Sequence, residues 1–403
     1  MTSHRDRPHR ARAKERSETR VKLISRIAIG IIAGIALGSY APMPVVRVVS
    51  SIGFVLGQYV KFIIPLLILA FVSKGISEFG KRAGRALLIG LVLAYTSTVL
   101  AELLGFSVAS SVLPRLAVAQ QTVATAAKIE PYLKIEIPPI MSIMSALVLA
   151  IAIGLGITRN KSPRIAETVV EFSAIVTDLI KHGMMPVFPY WVATVFMEIT
   201  AKGQLLPTAR AFFTVLLLII PTQWLWLAIL YGISGAFTGR NTWPVMKTML
   251  PAYFTAMGTM SSAATLPVAL VCAHSIPSVK KESVNFCMPL FNIAHLPGAA
   301  MAITMSALTV SLLTKGQIPP IGQFLPFILL LGFIEVAAVG VPGGSVTAAL
   351  GILETVLLFD RTGLGLMVAL FMIQDSFGTA ANVVGDAALT MIVDKAVNVD
   401  ESA

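Results

Sequence analysis

The sequence predicts an all-α, polytopic membrane protein with eight transmembrane helices and two re-entrant helical hairpins. Three observations predict it. Charged residues make up 13% of the 403 residues and hydrophobic ones 56%, whereas a soluble domain carries about 25% charged residues. No charge interrupts residues 28–46, 211–239 or 283–314, and runs of roughly 18 or more apolar residues suffice to cross a bilayer core. Finally, two apolar segments of the C-terminal half are broken near their middles into arms of half-span length.

The elements follow in order. Residues 1–22 hold Arg5, Arg7, Arg10, Arg12, Lys14, Arg16, Arg20 and Lys22, a large share of the net charge of +11. No aromatic residue is interleaved, so a cytoplasmic tail touching anionic lipid is expected, with no nucleic acid as partner. The apolar region after Leu23 is too long for a cleaved signal peptide and lacks a small-residue cleavage site. Spans are expected at 23–42, 46–74, 87–112, 139–158, 165–197 and 207–238. Counted from a cytoplasmic N-terminus, they place Lys74, Lys81, Arg82 and Arg85, then Arg159, Lys161 and Arg164, then Arg240 and Lys247 inside. That agreement with the positive-inside rule supports the count. The polar stretch 114–131 faces outward, and Pro186 and Pro189 should kink or break the fifth span. Short loops point to a prokaryotic inner membrane with both termini cytoplasmic. Cys272 and Cys287 imply neither disulfide nor metal site, and no cofactor is expected.

The interrupted segments are 243–278, broken at 260–267, and 319–358, broken at 340–345. Paired interruptions of this kind point to a transporter binding site; ordinary helices with Gly/Pro kinks are the alternative. Irregular backbone at membrane depth must be buried in protein or line a wet cavity, which favours hairpins. Ser261, Ser262 and Thr265 offer hydroxyls and free N–H groups at a helix start, suited to a carboxylate. Gly343 and Gly344 permit close approach to a ligand. The seventh span, 282–313, should unwind at His295-Leu-Pro-Gly298, and the eighth covers 361–394.

In the eighth span Asp375, Thr379, Asn382 and Asp386 fall on one face, at helical spacings of four, three and four residues. Buried carboxylates with no base nearby in sequence call for a cation, an ammonium group or sodium; interhelical hydrogen bonding is the alternative. His295 either bonds a neighbouring helix or carries a coupling proton. Glu102, Glu335 and Glu354 are further proton-carrier candidates, and Lys61 is expected to snorkel to the lipid boundary. An intramembrane protease would need a nucleophile paired with a base, for which Ser262, Ser345 and His295 form no motif. A channel or sensor is disfavoured by two hairpins around one acidic cluster.

These residues resemble the dicarboxylate/amino-acid:cation symporter family, the glutamate-transporter homologues, over residues 20–397. Ser261-Ser-Ala-Ala-Thr-Leu-Pro267 is similar to its first-hairpin tip, Gly340-Val-Pro-Gly-Gly344 to its second, and Gln374-Asp-Ser-Phe-Gly-Thr-Ala-Ala-Asn-Val-Val-Gly-Asp386 to its eighth-helix motif. The resemblance implies a homotrimer working by an elevator mechanism. Residues 23–80 and 137–205 would form the scaffold, 81–136 and 206–397 the transport domain, and 398–403 a C-terminal tail. It implies a substrate site of Ser261, Ser262, Val341, Pro342, Gly343, Asp375, Gly378, Thr379 and Asn382. Asp375 would meet the amino group. It implies cation ligands Thr96, Ser97, His295, Asn382 and Asp386, with sodium on Asp386 and the Asn382 carbonyl.

Three departures matter. Gly378 stands where acidic-substrate members have Arg, which implies a small neutral amino acid of the Ser/Thr/Ala kind. A C4-dicarboxylate or acidic amino-acid symporter, proton-coupled in one version, is the alternative. The family's NMDGT aligns on His295-Leu-Pro-Gly-Ala299, so a sodium-binding Asp becomes Pro297, implying fewer sodium ions or a proton through His295. Ala263-Ala264 removes polar contacts from the first tip.

Overall fold

The computed structural model describes residues 25–80, 85–116, 129–276, 279–336 and 343–401. Every regular element among them is helical. The basic tail of residues 1–22, Lys81, Arg82, Val341 and Pro342 lie outside the described residues.

Helix α1 spans Ser25–Tyr40, α2 Met43–Gly80, α3 Arg85–Val112, α4 Ile143–Asn160, α5 Pro163–Leu179, α6 Met185–Ala201 and α7 Leu205–Thr238. Six apolar helical stretches among the described residues are long enough to cross a membrane; α1 and residues 148–160 of α4 are shorter. Helix α4 begins at Ile143, four residues later than the expected 139. The Pro138-Pro139 pair precedes it, and Ser142 caps it by accepting from the Ser145 N–H at 3.1 Å. The fifth span is broken just ahead of Pro186, by a π turn at Ile180–Met184, and α6 continues through Pro189. A wider turn absorbs the hydrogen bond that a proline cannot make.

The C-terminal half alternates short and broken helices. Helix α8 is Trp243–Thr248, α9 Leu250–Thr259 and α10 Ser262–His274. The α9–α10 break is confined to Met260–Ser261, with Met260 left-handed at φ 47°; Pro267, expected within the break, lies inside α10. Helix α11 is Lys281–Ala294 and α12 Pro297–Lys315, separated by His295, which is extended, and Leu296. Helices α13, Ile321–Val336, and α14, Gly344–Thr355, pack against one another. Helix α15 runs from Arg361 to Glu401, past the boundary expected at 397.

The helices sort into two packing groups. Helix α2 packs on α4, α5 and α6, while α12, almost wholly buried, packs on α3, α7 and α15. Helix α1 meets α6 through a small-residue seam that the sequence reading did not anticipate. A Cβ at Gly30, Gly34 or Gly38 would lie 2.4, 2.2 or 2.4 Å from the carbonyl oxygens of Pro189, Ala193 and Met197. Glycine every fourth residue lets backbones touch, the usual means of helix association in lipid.

Two ion pairs join the groups. Lys61 of α2 meets Glu354 of α14 at 2.5 Å. Arg361, at the start of α15, pairs with Glu198 of α6, which also accepts from the Ser50 hydroxyl at 2.6 Å. The Arg361–Glu198 pair is nearly sealed, with side-chain exposures of 18% and 5%. Removing one partner of a buried pair leaves an uncompensated charge, at a cost of about 3–5 kcal/mol. Glu198→Ala should therefore lower the melting temperature in detergent, and the double variant Glu198→Gln with Arg361→Gln should lose less than the two single changes summed. Additive losses would show that the pair is not coupled.

Candidate functional site

The site assembles where helices end inside the protein. Ser261 is the N-cap of α10, its Oγ accepting from the Ala264 N–H at 3.2 Å. Thr265 turns inward to donate to the Ser261 carbonyl at 2.9 Å and contacts Thr259 Oγ1 at 2.9 Å. The Ser262 carbonyl accepts from Asn292 Nδ2 at 3.0 Å, tying the α9–α10 turn to α11. The second turn is held differently. Gly343 sits at φ +69°, where a Cβ would lie 2.8 Å from Met372 Sδ, and its N–H donates to Asp375 Oδ2 at 3.0 Å.

Helix α15 presents the expected face. Asp375, Thr379, Asn382 and Asp386 are all buried, and Thr379 Oγ1 lies 3.5 Å from Asp375 Oδ1. The two aspartates stand roughly 16 Å apart along the helix axis, from its rise of 1.5 Å per residue. They serve two places rather than one. Asn382 lies between them and has a structural task. Its Oδ1 accepts from the N–H groups of Gly298 at 2.7 Å and Ala299 at 3.4 Å, capping the buried start of α12. The contacts to Gly298 and Ala299 use Oδ1 and not Nδ2. Gln223 of α7 reaches the Gly298 carbonyl at 3.0 Å. Gly378 faces the same helix start, where a Cβ would lie 3.4 Å from the Ala299 backbone.

At the second place, the seventh-span break delivers a side chain as well as free backbone. His295 Nδ1 lies 3.0 Å from Asp386 Oδ1, and Nε2 lies 2.8 Å from Ser97 Oγ of α3. With Asp386 ionised, Nδ1 must carry the ring proton, and the Ser97 hydroxyl then donates to Nε2. All three residues are buried, and Asp386 Oδ2 has no partner. Gly385 makes the approach possible, since a Cβ there would lie 3.1 Å from the imidazole Cε1.

Three residues depart from expectation. Thr96 does not join Ser97: it lies on the exposed face of α3, one residue out of phase with the buried face. Thr98, which the sequence reading passed over, is buried with an unpartnered hydroxyl. Gln374 was noticed only as a motif residue, yet it is fully buried and neither polar atom of its amide has a partner. No sequence signal separates Thr96 from Thr98, which flank Ser97 symmetrically on α3. His295→Ala strands Ser97 Oγ and Asp386 Oδ1 and opens a cavity, so it should destabilise the protein by about 2–5 kcal/mol in thermal or denaturant unfolding. An unchanged unfolding midpoint would mean that the chain is not formed.

A family model described as the sodium:dicarboxylate symporter family matches residues 23–396. An excitatory amino acid transporter of Caenorhabditis elegans is 26% identical over 255 residues, 61% of this chain and 49% of that protein. The chain thus spans about half the length of that curated relative. Because the family match runs through nearly every helix described above, the chain belongs to the sodium:dicarboxylate symporter family, a family of transporters and not of enzymes.

Proposed function

We propose that this protein is a secondary active, cation-coupled symporter of a small neutral amino acid. The observation that carries the reading is Asp375. It is a buried carboxylate receiving a backbone N–H from Gly343 at the start of α14, on a helix face shared with Thr379 and Asn382. A substrate ammonium group would bind that carboxylate, and its own carboxylate would take donors from Asn382 Nδ2, Ser262 Oγ and the start of α10. The Val341–Pro342 backbone is assigned to the same site by resemblance alone.

Gly378 sets the substrate class. Recognising a second carboxylate calls for a bidentate guanidinium, and position 378 instead brings a glycine against Gly298 and Ala299. The second reading, transport of a dicarboxylate or acidic amino acid, is favoured by the family's description and by the relative's name.

The cation position supports a reduced sodium requirement. His295 already engages Asp386 Oδ1 and Ser97 Oγ, so Asp386 Oδ2 is the acidic oxygen left there for one sodium ion, helped by carbonyls freed where α11 ends.

The two packing groups suit an elevator in a homotrimer. The α1, α2, α4, α5 and α6 group would be the scaffold. The α3, α7 and α8–α15 group would be the moving domain, with α8–α10 and α13–α14 as re-entrant hairpins in an eight-span fold. Movement would require the Lys61–Glu354 and Arg361–Glu198 pairs to part. A cell inner membrane with cytoplasmic termini completes the proposal.

The test is uptake of labelled serine, threonine, alanine, aspartate and succinate into proteoliposomes under a sodium gradient, with a choline control at fixed pH. Sodium-stimulated uptake of the neutral amino acids is expected, and Asp375→Ala should abolish their binding without unfolding the protein. Preference for aspartate or succinate would move the assignment to the second reading.

A further inference from the structure

Among the described residues, two carboxylates outside the positions above are buried with no counter-charge in contact. Glu102 lies in mid-α3 and Glu335 in the last turn of α13, and both are fully inaccessible. Each has one oxygen satisfied. Glu102 Oε2 accepts from the Thr304 hydroxyl of α12 at 3.2 Å, and Glu335 Oε2 accepts from the Ser345 hydroxyl of α14 at 2.7 Å. The remaining oxygen of each, Oε1, is sealed from solvent and has no hydrogen-bond partner.

The two groups lie on helices that pack against each other, α3 and α13. They approach at Gly332, one turn before Glu335 on the same face of α13. A Cβ at Gly332 would lie 2.9 Å from Val99 Cγ2 and 3.6 Å from Glu102 Oε1. The unpartnered oxygen of Glu102 is therefore aimed at the surface that carries Glu335. Among the described residues, no positive group meets either carboxylate. Asp375 of α15 faces Glu335 and adds a like charge. Tyr95 of α3 faces Glu102 and donates instead to the Leu329 carbonyl at 3.2 Å. Lys61 of α2 is engaged by Glu354. Among the described residues, α7, α11, α12 and α14 place no charged side chain in contact with either carboxylate.

Like charges packed together in a dry interior cannot both remain ionised. We propose that Glu102 and Glu335 form a proton-binding site, the pair holding a single proton, and that this proton is a co-transported ion. Water on one side supplies it, converting one carboxylate to the acid. It leaves to water on the other side, and no bond to carbon changes. The site is linked to substrate through α14. Ser345 binds Glu335 two residues after Gly343 binds Asp375, so occupancy at either carboxylate acts on the same helix start. Proton transport rests on the symporter reading; the proton site itself does not.

The experiment has two readouts on the purified full chain. Infrared spectra in detergent near neutral pH should show a carboxylic-acid carbonyl stretch that disappears in the Glu102→Gln/Glu335→Gln double variant. In proteoliposomes with a lumenal pH dye, amino-acid uptake should acidify the lumen, and the double variant should retain substrate exchange but lose acidification. Should that variant not fold, the wild-type spectrum decides: absence of the acid band overturns the proposal, as does a band or acidification that survives the double change. An acid band removed by adding sodium at constant pH would make this a sodium site and overturn the proton assignment. An acid band assigned to the pair, with no uptake of any amino acid, would support the proton site and defeat the symporter reading instead.

Discussion

The N–H groups of Gly298 and Ala299 begin a helix inside the protein, where no water can accept from them. Asn382 Oδ1 does so, from the neighbouring helix α15. Irregular backbone at membrane depth survives only if such groups are satisfied, and the rest of the site follows from this one contact. It fixes α15 against the start of α12, which sets the rotation of the face carrying Asp375 and Asp386. It also frees the segment before α12 to run extended, so that His295 can swing toward Asp386 and Ser97. Tyr231 and Ser234 of α7 donate to the Val384 and Ala388 carbonyls and hold the other side of α15.

Charge is the second constraint. Asp375, Asp386, Glu102 and Glu335 are buried acids within one packing group; Arg361 and Lys61 pair across the boundary with the other group, while Arg240 lies 4.0 Å from the buried Asp394 within the first. Acids held at low dielectric call for a partner that offsets their charge. Asp375 takes a backbone donor, Asp386 takes an imidazole, and Glu102 and Glu335 each take one hydroxyl. Under the proposed function these acids would take different cations.

Much of this was legible in the sequence. Long apolar runs, charge placement and two interrupted segments located the helices to within a few residues, because burial in lipid leaves few alternatives. The face of α15 followed from its spacing alone. What stayed hidden depends on neighbours distant in sequence. Thr96 and Thr98 are equivalent in composition, and only the rotation of α3 against α12 sends one outward and buries the other. Gly30, Gly34 and Gly38 read as apolar filler until α6 lies against them. Glu335 and Glu354 each sat in an apolar run, yet one meets Ser345 while the other meets Lys61. Prolines were the poorest guide, since Pro189 and Pro267 sit within helices whose irregularities lie upstream.

The central claim is that an imidazole occupies oxygens that would otherwise serve sodium, so that one acidic oxygen remains at that position. The most direct test is equilibrium amino-acid binding to the purified protein over a range of sodium concentrations at fixed ionic strength and pH. By linkage, the slope of log affinity against log sodium counts the ions bound with the substrate. The account predicts a slope of about one or less, and a slope approaching three would contradict it.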